Sequence, residues 1–408
     1  MANVSSSNGL EKRPKLRFPG FDEPWKAAHL SDYFAKNIKK NTDGAITNVI
    51  CNSAKQGLIP QRDYFDKDIA NSDNTDGYYI IETNDFVYNP RKSTDAPYGP
   101  ISSYNYPEAG IVSPLYLCFR AKQEINPLYF EWYFRSSAWH RYIYMSGDSG
   151  ARHDRVSIKD DIFFAMPINI PSATEQERIA LFLNAIEQKI DKQRSLVEAL
   201  KKYKRGLVFS IFSTSNPYEI AVESTPLTTL LKEYRNRETT NLRVCSVAVA
   251  KGVVDQLEHL GRRFAASDTS NYGRVKPGDV VYTKSPTGDF PYGIVKQSWL
   301  HEDVAVSPLY GVYTPLNYEV GYLIHTYFEQ SSNANNHLRT LAQKGAKNTI
   351  NITTGHFLDK DIPFPIREDE VSMLVGLFSR INKRIDNEES RLNKLVLQRK
   401  ALMQQLFI

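Results

Sequence analysis

The sequence predicts an α+β protein built as a tandem, pseudo-twofold repeat, each half being a globular unit followed by one long helix. Three observations lead there. A heptad seam of apolar residues occurs mid-chain and again at the end, 195 residues on. Short motifs ahead of each seam return at a spacing of 194. Between them, short β-type runs alternate with Gly, Pro, Asn and Asp turns, joined by one strong helix-start signal.

A chain of 408 residues has room for two or three domains with cores of their own. Its 41% hydrophobic and 24% charged content are those of an ordinary soluble protein. The net charge of +5 permits a polyanionic partner without demanding one. The 24 Tyr and 20 Phe suggest large amphipathic contact surfaces beside an aromatic core. Cys51, Cys118 and Cys245 are far apart and form no CxxC pair, so neither a disulfide framework nor a cysteine zinc site is expected. No stretch approaches the ~18 uncharged apolar residues of a membrane span, and the N-terminus lacks an apolar signal core. A cytoplasmic location without membrane contact is expected.

Residues 1–13 are polar and expected to be a flexible N-terminus. The first globular unit spans 14–171, with strands expected at Tyr78–Ile81 and Asp85–Tyr88 and a helix over Leu128–Ser136 after the start signal Asn126-Pro127. A long helix follows over 172–213, opened by a capping box from Ser172 to Glu175. Its seam is Leu183, Ile186, Ile190, Val197, Leu200, Leu207 and Ile211, with Gln193 and Lys204 at the two polar seam positions. At 1.5 Å per residue such a helix is roughly 60 Å long, far beyond an average globular helix. Ser213 to Pro217 ends it, and the second unit occupies 214–366. The second long helix, 367–408, carries Phe378, Ile381, Ile385, Leu392, Leu395, Leu402 and Leu406, again interrupted by polar residues, Glu388 and Arg399.

The repeat extends into the globular units. Val112-Ser-Pro-Leu-Tyr116 returns unchanged as Val306-Ser-Pro-Leu-Tyr310. Asp85-Phe-Val-Tyr88 matches Asp279-Val-Val-Tyr282, Pro97-Tyr-Gly99 matches Pro291-Tyr-Gly293, and Tyr133-Phe134 matches Tyr327-Phe328. Gly150-Ala-Arg152 matches Gly345-Ala-Lys347 one residue later in register. Between these anchors the halves diverge: Asn89-Pro-Arg-Lys-Ser-Thr94 stands where Thr283-Lys-Ser-Pro-Thr-Gly288 stands. A shared scaffold with divergent loops points to two similar modules holding different specificities.

These residues resemble the DNA-specificity subunit of type I restriction–modification enzymes. Pro14-Lys-Leu-Arg-Phe-Pro-Gly-Phe21, followed by Trp25, looks like that family's common start. Pro167-Ile-Asn-Ile-Pro-Ser-Ala-Thr-Glu-Gln-Glu-Arg-Ile179 resembles the approach to its central helix, and Leu200-Lys-Lys-Tyr-Lys-Arg-Gly-Leu207 with Ile211-Phe212 resembles that helix's exit. The resemblance covers nearly the whole chain. It departs at Pro365-Ile-Arg-Glu-Asp-Glu-Val371, which lacks the Glu-Gln pair of Glu175-Gln176. The resemblance implies two target-recognition domains, each reading one half of a bipartite site in double-stranded DNA, and two helices packed as an antiparallel coiled coil that spaces the domains and docks two methyltransferase subunits. It implies no cofactor in this chain: S-adenosylmethionine belongs to the methyltransferase subunits, ATP and Mg to restriction subunits that join the full complex.

No catalytic constellation is legible. Asn89-Pro90-Arg91-Lys92 begins like the Asn-Pro-Pro-aromatic motif of amino-methyltransferases but lacks the second Pro and the aromatic. No GxxxxGK[ST] phosphate loop is present. The eight His show no metal-ligand spacing, and His153, His259 and His301 are expected at the surface. The DNA-binding candidates are basic and polar residues of the divergent loops: Arg91, Lys92 and Ser93 with Lys284 and Ser285 after the matched β-runs, and Arg152, His153, Lys347 and Asn348 after the matched Gly-Ala pairs. Arg reads guanine bidentately, Asn reads adenine, and Lys holds phosphate. Tyr98 and Tyr292 are the same in both halves and are read as a shared turn element, because a specificity residue should differ between them. Lys201, Lys202, Lys204 and Arg205 form a basic run expected to be exposed near one helix end. The expected role is thus a non-catalytic specificity subunit. The rival accounts are a tandem-repeat scaffold whose loops bind protein, and a stand-alone methyltransferase or nuclease.

Overall fold

The computed structural model describes residues 13–64, 75–149, 154–213, 216–234, 236, 239, 241–257, 271–284, 286–344, 350–353 and 355–408. The chain divides into two units, one made of residues up to 193 together with 391–408, the other of 194–390.

In the first unit the strands are β1 (Lys26–His29), β2 (Phe34–Lys36), β3 (Val49–Ser53), β4 (Gly57–Pro60), β5 (Tyr79–Ile81), β6 (Phe86–Tyr88), β7 (Ile101–Ser103), β8 (Gly110–Val112), β9 (Leu117–Ala121), β10 (Asp148–Ser149), β11 (Val156–Ser157) and β12 (Pro167–Ile170). They form two four-stranded sheets, in the orders β2-β9-β6-β7 and β4-β3-β8-β5, and the pairs β1-β12 and β10-β11. The second unit has β13 (Val222–Pro226), β14 (Leu231–Glu233), β15 (Arg243–Ala248), β16 (Gly252–Asp255), β17 (Gly273–Val275), β18 (Val280–Tyr282), β19 (Val295–Gln297), β20 (Val304–Val306), β21 (Gly311–Pro315), β22 (Gln343–Lys344), β23 (Ile350–Asn351) and β24 (Asp361–Pro365). Its sheets repeat the topology strand for strand: β14-β21-β18-β19, β16-β15-β20-β17, β13-β24 and β22-β23. Even the parallel pair recurs, as β3-β8 and β15-β20.

The apolar pattern of β6 explains how the sheet is covered. Strand side chains alternate between faces. Phe86 and Tyr88 enter an aromatic core with Phe34, Phe119, Phe130 and Phe134, whereas Val87 enters a smaller core with Ile50, Ile81 and Cys118. Phe34 meets Phe130 edge-on at 4.9 Å and Phe86 stacks on Phe119 at 5.6 Å, both favoured aromatic geometries. The helix Pro127–Arg135 buries Tyr129, Phe130, Tyr133 and Phe134 on this core, and Asn126 caps it by accepting from the Tyr129 N–H. Asn317 caps the matching helix Tyr318–Phe328 through Val320.

The buried aspartates of the matched β-runs hold the turn before β6 and β18. Asp85 accepts from the Glu82 N–H and Asp279 from the Lys276 N–H, both at 2.8 Å. Their outer partners differ. Arg120 forks onto Asp85 at 2.6 and 2.7 Å, whereas the matching residue of β21, Thr314, donates its hydroxyl to Asp279 at 2.9 Å. Burial raises the Asp279 pKa above the usual carboxylate value, and the hydrogen bonds from the Lys276 N–H and Thr314 and the charge of Lys276 only partly offset it.

The long helices are Ala173–Ile211 and Glu368–Leu406. Every residue of both predicted seams is buried or half-buried, and so are Gln193, Lys204, Glu388 and Arg399. In the first unit Ile179 and Leu183 share a core with Leu402, Met403, Leu406 and Phe407, while Glu187 pairs with Arg399. Numbers rise along one helix as they fall along the other, so the pairing is antiparallel. In the second unit Val208, Ile211 and Phe212 pack with Leu374 and Phe378, and Lys201 meets Glu389 at 2.8 Å, again antiparallel. Lys204 corrects the expected exposed basic run: it is buried and pairs with Glu329, leaving only Lys202 and Arg205 of the run exposed. The capping box is also only half formed. The Ser172 hydroxyl accepts from the Glu175 N–H at 3.3 Å, but the Glu175 carboxylate turns to a bidentate pair with Arg17 at 2.7 and 2.8 Å. The second unit keeps the glutamate as Glu370, which is also buried and accepts from the Ala221 N–H, while buried Val371 stands in place of Gln176.

The matched Pro-Tyr-Gly is a turn lock in both units. The Tyr88 hydroxyl donates to the Tyr98 carbonyl at 2.8 Å, and Tyr282 to Tyr292 at 2.9 Å. Burial raises the pKa of both phenols, so they remain donors. Gly99 (φ +83°) and Gly293 (φ +101°) lie where a Cβ would stand 2.1 Å from the Asn89 carbonyl oxygen and 1.8 Å from that of Thr283. Only glycine fits. Gly293→Ala is therefore expected to destabilise the second unit by roughly 2–4 kcal/mol. Gly206→Ala, in the central helix with open space around the new methyl, should stabilise by about 1 kcal/mol. Urea unfolding of the two variants checks both signs.

Two buried histidines contribute to the acid response of the second unit. His325 accepts from the Gln297 N–H at Nδ1, and burial together with Lys296 and Lys204 holds its pKa well below the usual value. Burial lowers His337 to about 4. A folded pKa below the unfolded one means the unfolded chain binds more protons in between. The neutral His337 thus stabilises the fold above pH ~6.5, and that contribution, at most about 3 kcal/mol, is lost as pH falls toward 4. His337→Gln is expected to flatten thermal stability between pH 6.5 and 4 relative to the parent; an equally steep acid loss in both would contradict this.

Candidate nucleic-acid interface

The turn locks sit at the base of the loops that follow β6 and β18, stretches where the two halves diverge. In the first unit the loop folds back on itself from its first residue. The Asn89 side chain accepts from the Arg91 N–H and donates to the Asn52 carbonyl, both at 3.1 Å. Its amide is thereby engaged in holding the turn. Ser93 closes the tip, accepting at its hydroxyl from the Ala96 N–H at 3.1 Å.

The same loop gathers a second candidate segment. The Val156 N–H donates to the Pro90 carbonyl at 2.9 Å, the Lys92 N–H to the Asp154 carbonyl at 2.7 Å, and Arg91 bridges Arg155. Residues 91–93 are thereby joined to the chain next to Arg152 and His153, which themselves lie outside the described residues. Sequence separation of some 60 residues hid this pairing. Arg91 is exposed and faces Asp154 at 3.6 Å, a surface pair of little strength. The ammonium of half-buried Lys92 has no ion-pair partner among the described residues, and Ser93 is exposed. Arg155 was not singled out from the sequence. It is half-buried, with its Nε lacking a hydrogen-bond partner among the described residues. Its legible signal was a third basic residue close behind Arg152 and His153.

In the second unit Lys284 follows the turn lock and is half-buried. The Thr283 N–H donates to the Ile294 carbonyl, and Thr287 and Phe290 exchange backbone hydrogen bonds, which ties down this loop. Asn335 donates to the Asp289 carbonyl at 3.1 Å. Ser285, Lys347 and Asn348 lie outside the described residues. His301 is exposed, while His259 lies outside them. Among the described residues no cluster of His, Cys, Asp and Glu could hold a metal ion, and no helix is long and apolar enough to cross a membrane.

The first loop presents exposed Arg91 and Ser93 with half-buried Lys92 above a hydrogen-bonded base, and the second presents half-buried Lys284 and exposed Thr287. That arrangement suits contacts to phosphates and base edges.

No family model matches the sequence, and no curated protein matches it. Solved structures do. A chain from a type I restriction–modification system, solved for that system's complex assembly and conformational transition, is 14% identical and superposes with a TM-score of 0.56 over 96% of this chain and 99% of its own. The S subunit of a type I restriction–modification system from M. genitalium is 11% identical, with a TM-score of 0.52 over 97% of this chain and 99% of its own. At these identities the likeness is one of architecture: this chain has the fold of a type I restriction–modification specificity subunit.

Proposed function

We propose that this protein is the non-catalytic specificity subunit of a type I restriction–modification complex, each globular unit reading one half of a bipartite site in double-stranded DNA. The observation that carries the reading is the repeated frame with unlike rims. Tyr88, Tyr98 and Gly99 are reproduced by Tyr282, Tyr292 and Gly293, while Arg91-Lys92-Ser93 is replaced by Lys284 and its neighbours. One frame holding two different polar rims suits two different short sequences.

In this reading the antiparallel helices are the spacer and the docking rail for two methyltransferase subunits, which bring S-adenosylmethionine and the chemistry. Restriction subunits bring ATP and Mg. The complex works on DNA in the cytoplasm. Binding through several phosphates makes the affinity fall steeply with salt.

Methylome mapping with and without this gene, in cells holding the partner methyltransferase, tests the proposal. The expected result is an asymmetric bipartite methylated motif that disappears on deletion. A methylome that stays unchanged while the partner is active would sink it and leave the scaffold account in front.

A further inference from the structure

We infer that Tyr144 and Met145, on the short helix His140–Ser146, form the apolar part of the first unit's reading surface and contact bases of its half-site. The inference rests on the DNA-reading role proposed above. Each side chain is 72% exposed, which is unusual for two adjacent large apolar residues on a helix otherwise well anchored. Ile143 on that helix is buried, and the Tyr142 hydroxyl donates to the Ile162 carbonyl at 2.7 Å. The helix is therefore held in place, and the outward direction of Tyr144 and Met145 is set by it.

Their surroundings name the occupant. Tyr98, in the loop that carries Arg91, Lys92 and Ser93, lies 6.5 Å edge-on from Tyr144 and 4.9 Å from His140. Just past Met145, β10 pairs with β11, the strand that follows Arg155. Exposed Arg141 shares the helix. An exposed apolar pair on a helix that also carries exposed Arg141, beside the loop of Arg91 and Lys92, matches a ligand with a polyanionic outside and apolar features within reach, which is duplex DNA: thymine methyl groups line its major groove, and base steps accept apolar wedges. The second unit does something different at the matching place. Leu338 is buried as Ile143 is, and the two residues after it are exposed Arg339 and Thr340. A residue that sets specificity should differ between the halves, and these do.

The test uses the full chain assembled with its methyltransferase partner, comparing the parent with Tyr144→Ala/Met145→Ala and with the conservative pair Tyr144→Phe/Met145→Leu. Methylated motifs are mapped in cells, and binding to the parent motif is measured. The expected result is relaxation at one or more bases of one half-site only, with roughly tenfold weaker binding for the alanine pair and near-parent behaviour for the conservative pair. A motif unchanged in both halves with binding within twofold of the parent overturns the inference, as does an equal loss in both halves. A parent protein that yields no bipartite motif sinks the DNA-reading role itself, a result distinct from either.

Discussion

Each unit depends on a core that local sequence cannot complete. In the first unit Phe407, from the far end of the chain, lies 5.7 Å from Tyr129 and 6.0 Å from Tyr133. In the second, Phe212 lies 5.4 Å from Tyr327. These are matched residues at matched places. A unit alone would expose the aromatic face of its own helix, at a cost of roughly 1.5–3 kcal/mol for each large side chain left uncovered. The Leu16 N–H even donates to the Gln405 carbonyl at 3.0 Å, tying two segments nearly 400 residues apart within the first unit. The long helices are thus part of both cores and not merely connectors.

Much of this was legible in the sequence, for physical reasons. A heptad seam is read from spacing alone, and no seam residue proved exposed. The duplicated motifs implied duplicated topology, and the sheets repeat strand for strand. The Asn126-Pro127 start signal works because a capping amide and a proline without an N–H suit the same helix turn. What stayed hidden depends on long-range pairing. Nothing local shows that Pro90 to Lys92 pair with residues 154–156, that Glu175 prefers Arg17 to its own cap, or that Lys204 is buried against Glu329.

The departures from symmetry show where the halves have been free to change. Arg399 and Lys204 are matched seam positions, yet Arg399 pairs with Glu187 on the facing helix and Lys204 with Glu329 at a helix end of its own unit. The reason is visible in the matching globular position: the first unit has Arg135 where the second has Glu329, so a cation there would meet repulsion. Asp85 and Asp279 do the same work with different partners, a guanidinium in one case and a hydroxyl in the other. The frame tolerates such exchanges because the backbone hydrogen bonds and the glycine turns, not the outer side chains, define it. The loops above it carry no such constraint, which is why they can differ entirely.

The central claim is that the two units read DNA independently. Replacing residues 14–170 with the corresponding segment of a specificity subunit of known different target, and mapping the methylated motif of the hybrid, tests it most directly. The account predicts that one half-site changes to that of the donor while the other half stays as in the parent. A hybrid that assembles with its methyltransferase and still methylates the parent motif, or one whose two half-sites change together, would contradict it.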